Sequence, residues 1–196
     1  MVMKGRVIPR DFYRKDPLLV ARRLLGQLLV RLWKDVRISG IIVEVEAYYG
    51  SEDPASRASR GGTLAKVMAG ECGRALVYGV HGQWLLNVVA HEPGEVGAVL
   101  IRALEPLEGI EVMMENRRVR DIRSLTSGPG RLTQALAVDK SFNGKPLYTR
   151  NHGLWIEWGC EIRDELIVRS HRVGVREDLN EPMRLYVKDN PFVSRP

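Results

Sequence analysis

Apolar and polar positions along this chain change period several times, and the changes mark a series of short elements. Residues 18–25, Leu18-Leu19-Val20-Ala21-Arg22-Arg23-Leu24-Leu25, predict a helix. Asp16 supplies its N-cap, and Pro17 fills the first helical position, where no N–H is needed. Gly26 ends that helix and a strand follows over 27–33. Lys34-Asp35 turns the chain back into a second strand over 37–49, rich in Ile and Val as a half-buried strand should be. Residues 50–62 are polar, with Pro54 and the pair Gly61-Gly62, and predict a loop of functional length. Further strands are expected over 74–78, 83–89 and 98–104. Glu105-Pro106-Leu107-Glu108 is expected to open a helix running to about Asn116, its acids suiting the N-terminal end of the dipole. Ser127-Gly128-Pro129-Gly130 precedes a short helix over 131–137, and strands return over 154–158 and 183–187. No repeat, low-complexity tract or linker interrupts the chain, so residues 1–196 are expected to form one mixed α and β domain. Strands that follow one another closely pair antiparallel.

Composition adds limits. A chain of 196 residues can bury most of its apolar surface without disulfides or metals. No apolar run reaches the roughly 20 residues a bilayer span requires, and the start, Met1-Val2-Met3-Lys4-Gly5-Arg6, has no continuous apolar core. The expectation is a soluble, intracellular protein without a membrane partner. Cys72 and Cys160 stand far apart, and the four histidines (His81, His91, His152, His171) show no metal-ligand spacing. Two reduced thiols and no metal are therefore expected. The net charge is +6 and arginine outnumbers lysine, with a pI near 9.5. That balance favours polyanionic partners, and arginine forks onto phosphate oxygens as lysine cannot. A basic protein with a well-solvated surface has the same composition.

Five stretches carry candidate chemistry. In Val43-Glu44-Val45-Glu46-Ala47-Tyr48, alternation puts Glu44, Glu46 and Tyr48 on one strand face. A carboxylate beside an aromatic ring, just before a long loop, suits a general base; two glutamates on a solvated face fit the pattern equally. Val77-Tyr78-Gly79-Val80-His81-Gly82 predicts a hairpin with an exposed tip, from which a side chain can wedge into a DNA stack. Without such a partner His81 is simply solvated. Asn87 lies inside an apolar run. Its amide must be hydrogen-bonded or cost about 1–3 kcal/mol of desolvation, and it suits either a base edge or neighbouring backbone. Arg102 sits mid-strand and needs a buried carboxylate or phosphate. Ser127, Gly128, Gly130 and Arg131 form a glycine-rich turn at a helix start, which can hold an anion such as a DNA phosphate.

Together these stretches resemble the alkyladenine (3-methyladenine) DNA glycosylase family. The matching blocks run in family order over nearly the whole chain: Leu24-Leu25-Gly26-Gln27-Leu28-Leu29-Val30, Ile42-Val43-Glu44-Val45-Glu46-Ala47-Tyr48, and Glu52-Asp53-Pro54-Ala55-Ser56 with Ser59-Arg60-Gly61-Gly62. Then come Leu100-Ile101-Arg102-Ala103-Leu104-Glu105-Pro106-Leu107-Glu108-Gly109, Ser127-Gly128-Pro129 with Gln134-Ala135-Leu136, Arg172-Val173-Gly174-Val175, and Leu185-Tyr186-Val187 with Pro191-Phe192-Val193-Ser194.

The resemblance implies an α+β fold: a curved antiparallel sheet with flanking helices and a protruding hairpin that inserts into DNA. The C-terminal domain of methionyl-tRNA formyltransferases shares that architecture. It implies a monofunctional, monomeric glycosylase of base excision repair, without cofactor or obligate protein partner, acting on double-stranded DNA that carries an alkylated or deaminated purine. Such a protein works in the cytoplasm of a prokaryote or the nucleus of a eukaryote. By position, Glu46 resembles the general base and Arg102 the arginine that places the water and a phosphate. Tyr48 and Tyr78 resemble pocket walls, Asn87 the amide that excludes guanine, and His81 the wedge, although that position is usually tyrosine. The family's pocket histidine is replaced here by Arg57, or by Ala58 if the loop is aligned from its other end. Flipping costs a few kcal/mol, less for a damaged base, and stacking returns about 1–3 kcal/mol per aromatic contact. A cationic alkylated purine stacks better still on electron-rich rings and is the better leaving group. Two other classes fit parts of the pattern: a non-catalytic nucleic-acid module of this fold, and a hydrolase of free nucleosides. Retention of Glu46, Tyr48 and Arg102 together argues against the first, and the basic charge against the second.

Overall fold

In the computed structural model, which describes residues 5–195, Asp16 accepts hydrogen bonds from the Leu18 and Leu19 amides and starts helix α1, Pro17–Leu24. The expectation drawn from the opening residues falls mostly on 1–4, outside the described residues. Gly26 then turns with φ +84°, in the left-handed region. A Cβ there would stand 2.0 Å from the Cys160 carbonyl oxygen, so only glycine lets these two backbones meet. Strand β1, Leu28–Trp33, and strand β2, Val36–Tyr48, form a hairpin closed by Lys34 and Asp35. Both turn residues have positive φ, the twist a two-residue hairpin needs.

Helix α2, Gly62–Met68, follows the polar loop and was not expected from the sequence. Next come β3, Ala75–Val80, and β4, Gln83–Val89, joined through His81 and Gly82, both at positive φ. Strand β5 spans Ala98–Glu108. This corrects the helix expected from residue 105: Glu105–Glu108 continue the strand, and α3 covers only Ile110–Arg117. Pairing decides the matter, because Ser39 and Gly40 of β2 lie opposite Glu108 and Pro106. Arg37 and Ser39 also bond the Glu108 carboxylate. Helix α4 is Pro129–Ala135, followed by β6, Leu154–Glu157. A short strand β7, Ile167–Ser170, also absent from the sequence reading, pairs with β8, Arg184–Val187.

The fold is α+β, with one antiparallel sheet in the order β3-β4-β5-β2-β1-β6 and four α-helices among the described residues. Strand β2 organises it. One edge lies along β5, while the other is shared between β1 and, at Glu44–Glu46, β8. Register shifts against β5 around Glu44 mark a bulge, the kind of irregularity that re-aims side chains. The main core includes Val20, Leu24, Ile42, Val45, Ile101 and Leu104. A second cluster of Met68, Leu76, Val89 and Ala98 lies under Tyr48 and Tyr78. Both cysteines are free, Cys72 buried and Cys160 exposed. Among the described residues no helix is long and apolar enough to cross a membrane.

Candidate active site

Glu44 and Glu46 are both 0 % exposed, so the solvated-face alternative is excluded. Strand β5 covers one edge of this segment and β8 the other, and Arg102 and Arg184 enter from them. All four charged groups share one buried cluster of two carboxylates and two guanidiniums.

The two glutamates are not equivalent. The Oε1 of Glu44 accepts from Arg102 Nε at 2.8 Å, Arg184 Nε at 2.8 Å and Ser194 Oγ at 2.9 Å. Its Oε2 accepts from the Ser194 amide at 2.6 Å. Burial is the largest single influence and disfavours ionisation. Arg102, the Ser194 amide and Arg184 together outweigh it, holding the Glu44 carboxyl below its ordinary range. Glu46 has fewer donors. Oε1 accepts from the Val173 amide at 2.8 Å and faces Arg102 Nη1 at 3.2 Å, while Oε2 accepts from the Tyr48 hydroxyl at 2.8 Å. Burial pushes the Glu46 carboxyl above the ordinary range despite these partners. Two carboxylates whose environments drive them apart are the usual physical signature of one structural and one chemical group. Burial also raises the Tyr48 phenol, with Glu46 adding to it, so Tyr48 stays a donor.

An open cavity of about 890 Å³ lies over Glu46. Tyr48, Tyr78, Arg57, Arg102 and His81 line it, as do Gly128, Gly130 and Arg131. Residues from β2, the loop before α2, the β3–β4 hairpin, β5 and the start of α4 thus converge. Ser127 is bridged to Ala103 beside Arg102 but does not line the cavity. Asn87 is 2 % exposed, also off the cavity lining, and donates to the Leu76 carbonyl at 3.0 Å. Ala58 packs against the small apolar cluster, whereas Arg57 faces the cavity. His81 is exposed at the hairpin tip. Helix α4 braces that hairpin: Thr133 Oγ1 donates to the Trp84 carbonyl at 2.7 Å. A Cβ on Gly130 would stand 1.6 Å from Gln83 Oε1, so Gly130 gives Gln83 the room to lie against the helix.

Several contributors escaped sequence reasoning. Arg172 bonds Asp53 through both Nη atoms, at 2.6 and 2.8 Å, and Asp178 through Nε at 2.7 Å. Its guanidinium lies 4.5 Å from the centre of the Tyr48 ring, backing that wall. Arg184 and Ser194 neutralise Glu44, and the Val173 amide orients Glu46. The resemblance blocks contain Asp53, Arg172, Val173 and Ser194, but 119 residues separate Asp53 from Arg172, and no local pattern pairs them. Five arginines and two glutamates line the cavity, leaving it positive. Among the described residues, no three His, Cys, Asp or Glu side chains gather to hold a metal.

Residues 11–191 match the family model described as Methylpurine-DNA glycosylase (MPG). A protein of Aeropyrum pernix is 44% identical over 193 residues, which cover 97% of this chain and 94% of that protein. One of Prosthecochloris aestuarii is 43% identical over 97% of this chain and 92% of its own. One of Carboxydothermus hydrogenoformans is 42% identical over 96% and 99%. All three carry the name "Putative 3-methyladenine DNA glycosylase".

Proposed function

The chain belongs to the methylpurine-DNA glycosylase family, and we propose that it excises alkylated or deaminated purines from double-stranded DNA with a water activated by Glu46. The damaged nucleotide leaves the stack and enters the cavity, its base stacking on Tyr48 with Tyr78 in the opposite wall. His81, at the exposed hairpin tip, takes the vacated place. Arg131, Arg60 and Arg176 on the cavity lining meet the phosphates around the flipped nucleotide, and the turn of Ser127, Gly128 and Gly130 sets the position of Arg131. Asn87, fixed on the Leu76 carbonyl, ties β4 to β3 behind the cavity lining.

The Glu46 carboxylate takes a proton from water, whose oxygen bonds to C1′ of the sugar. The C1′–N bond breaks, and its electron pair leaves on the base nitrogen. A cationic alkylated purine departs neutral. A neutral base such as hypoxanthine takes up a proton from solvent as it leaves, and Glu46 afterwards returns its proton to solvent. The products are the free purine and an abasic sugar with a C1′ hydroxyl. Glu46 suits this role because Val173 and Arg102 hold Oε1 while Oε2 keeps a lone pair free beside Tyr48. Arg102 spans Glu44 and Glu46 on the cavity lining, where it orients the water and faces the phosphate.

The observation that carries this reading is the asymmetry of the glutamate pair: a saturated, ionised Glu44 beside a buried Glu46 with raised proton affinity. The test compares wild type with Glu46→Gln on a duplex holding one hypoxanthine and on randomly methylated DNA, scoring released base. Release by wild type but not by the variant, with DNA binding retained, is expected. Equal activity in both proteins would remove Glu46 from its role. Tight DNA binding without release of either base by wild type would favour a non-catalytic binding module.

A further inference from the structure

A cationic base gains most where an aromatic face is bare, because the face of a ring carries the negative part of its quadrupole. Neither tyrosine wall of this cavity is bare. Arg172 stands over Tyr48, but its charge is matched by Asp53 and Asp178. Arg57 lies 4.9 Å from the centre of the Tyr78 ring and lines the cavity itself. Among the described residues no carboxylate forms an ion pair with Arg57, and Glu46 on the same lining is already engaged by Arg102. Glu177, exposed on the lining, forms no ion pair with Arg57 among the described residues. Arg57 is thus a partly buried, unmatched cation that already covers one face of Tyr78 beside the base slot. A second positive charge at stacking distance is repelled, and water screens that repulsion only partly. Hypoxanthine carries no formal charge, whereas methylation of guanine at N7 adds a positive one.

We propose that Arg57 determines lesion choice by charge, biasing this cavity toward neutral purines and against purines bearing a formal positive charge. The inference rests on the glycosylase reading above and refines its substrate class. It also reverses the advantage that bare aromatic walls would give to alkylated purines.

The test uses two duplexes of one sequence, with a single hypoxanthine or a single 7-methylguanine, under single-turnover conditions with uncatalysed depurination subtracted. The readout is the ratio of 7-methylguanine to hypoxanthine excision rates, normalised to wild type, so the intrinsic lability of each bond cancels. Arg57→Gln and Arg57→Ala should raise that ratio about ten-fold or more, corresponding to about 1.4 kcal/mol. Arg57→Lys keeps the charge and should leave the ratio within roughly a factor of three of wild type, less than about 0.7 kcal/mol. If the alanine variant fails to unfold cooperatively, the glutamine variant decides. An unchanged or lower ratio in the uncharged variants overturns the proposal even if both rates fall, and so does a lysine variant that behaves like glutamine. Failure of wild type to release either base is a different result, which removes the glycosylase reading and this inference together.

Discussion

Replacing Glu44 by Gln should destabilise the protein severely while moving the acid limb of its activity to lower pH. The buried cluster holds two negative groups, Glu44 and Glu46, and two positive ones, Arg102 and Arg184, with side-chain exposures of 0, 0, 7 and 5 %. Glu44→Gln leaves one guanidinium without a counter-charge. The amide cannot satisfy the site in either orientation. Its NH2 must face Arg102, Arg184 and the Ser194 hydroxyl at one oxygen position, or the Ser194 amide at the other. Removing one partner of a buried pair costs about 3–5 kcal/mol. At about 2–4 °C per kcal/mol for a chain of this size, the Tm should fall by roughly 6–20 °C. The catalytic effect has its own sign. The base must be ionised, so activity is lost as pH falls through the Glu46 pKa, which burial raises above the ordinary 4.5. Glu44 is among the influences that raise it, whereas Arg102 lowers it. Without Glu44, Arg102 is left to Glu46 alone, and the limb should move toward lower pH. Calorimetry measures the first effect, and single-turnover base release against pH below the variant's melting temperature measures the second. A Tm loss under about 2 °C would mean the cluster behaves like a hydrated surface pair. A limb moving upward would refute the electrostatic coupling.

Other outcomes follow from single contacts. Gly26→Ala combines a left-handed φ of +84° with a Cβ only 2.0 Å from a backbone oxygen. It should cost more than about 2 kcal/mol in urea unfolding, and a loss below that would mean the β1 entry can shift freely. Tyr13 is 0 % exposed and its hydroxyl finds no partner among the described residues. Tyr13→Phe should therefore stabilise by about 1 kcal/mol, and a loss of similar size would reveal a hydrogen bond to buried water. Tyr148, Arg74 and Arg10 pull the Glu71 carboxyl down to about 2. Its stabilising contribution is full above the ordinary 4.5 and is lost as pH falls toward 2. Because the group is partly exposed, Glu71→Gln should cost no more than about 1 kcal/mol at neutral pH, and the gap to wild type should narrow below the ordinary 4.5 and close only as pH falls through about 2. A gap that does not change with pH would show that the contact is steric and not ionic.

Much of the fold was legible locally. The Asp16-Pro17 cap starts α1 where expected, Gly26 ends it, Lys34 and Asp35 turn the first hairpin, and β4 spans Gln83–Val89 as read. These features depend on a residue and its near neighbours: a side-chain oxygen two or three residues from an amide, or a backbone angle that one residue type tolerates. Alternation likewise put Glu46 and Tyr48 on one face, and they are hydrogen-bonded. Local reasoning failed where distant pairing overruled it. Glu105-Pro106-Leu107-Glu108 has the acids and proline of a helix start, yet it stays extended because β2 offers it a full edge and Arg37 holds Glu108. Strand β7 is four residues long and exists through its pairing with β8. The contrast is sharpest within the glutamate pair. Strand period treats Glu44 and Glu46 alike, and what separates them arrives from Arg184 and Ser194, 140 and 150 residues away from Glu44, and from the Val173 amide, 127 away from Glu46. Ionisation in a buried site reflects a balance over every charge and dipole that packs around it, and only the tertiary fold determines which of them arrive.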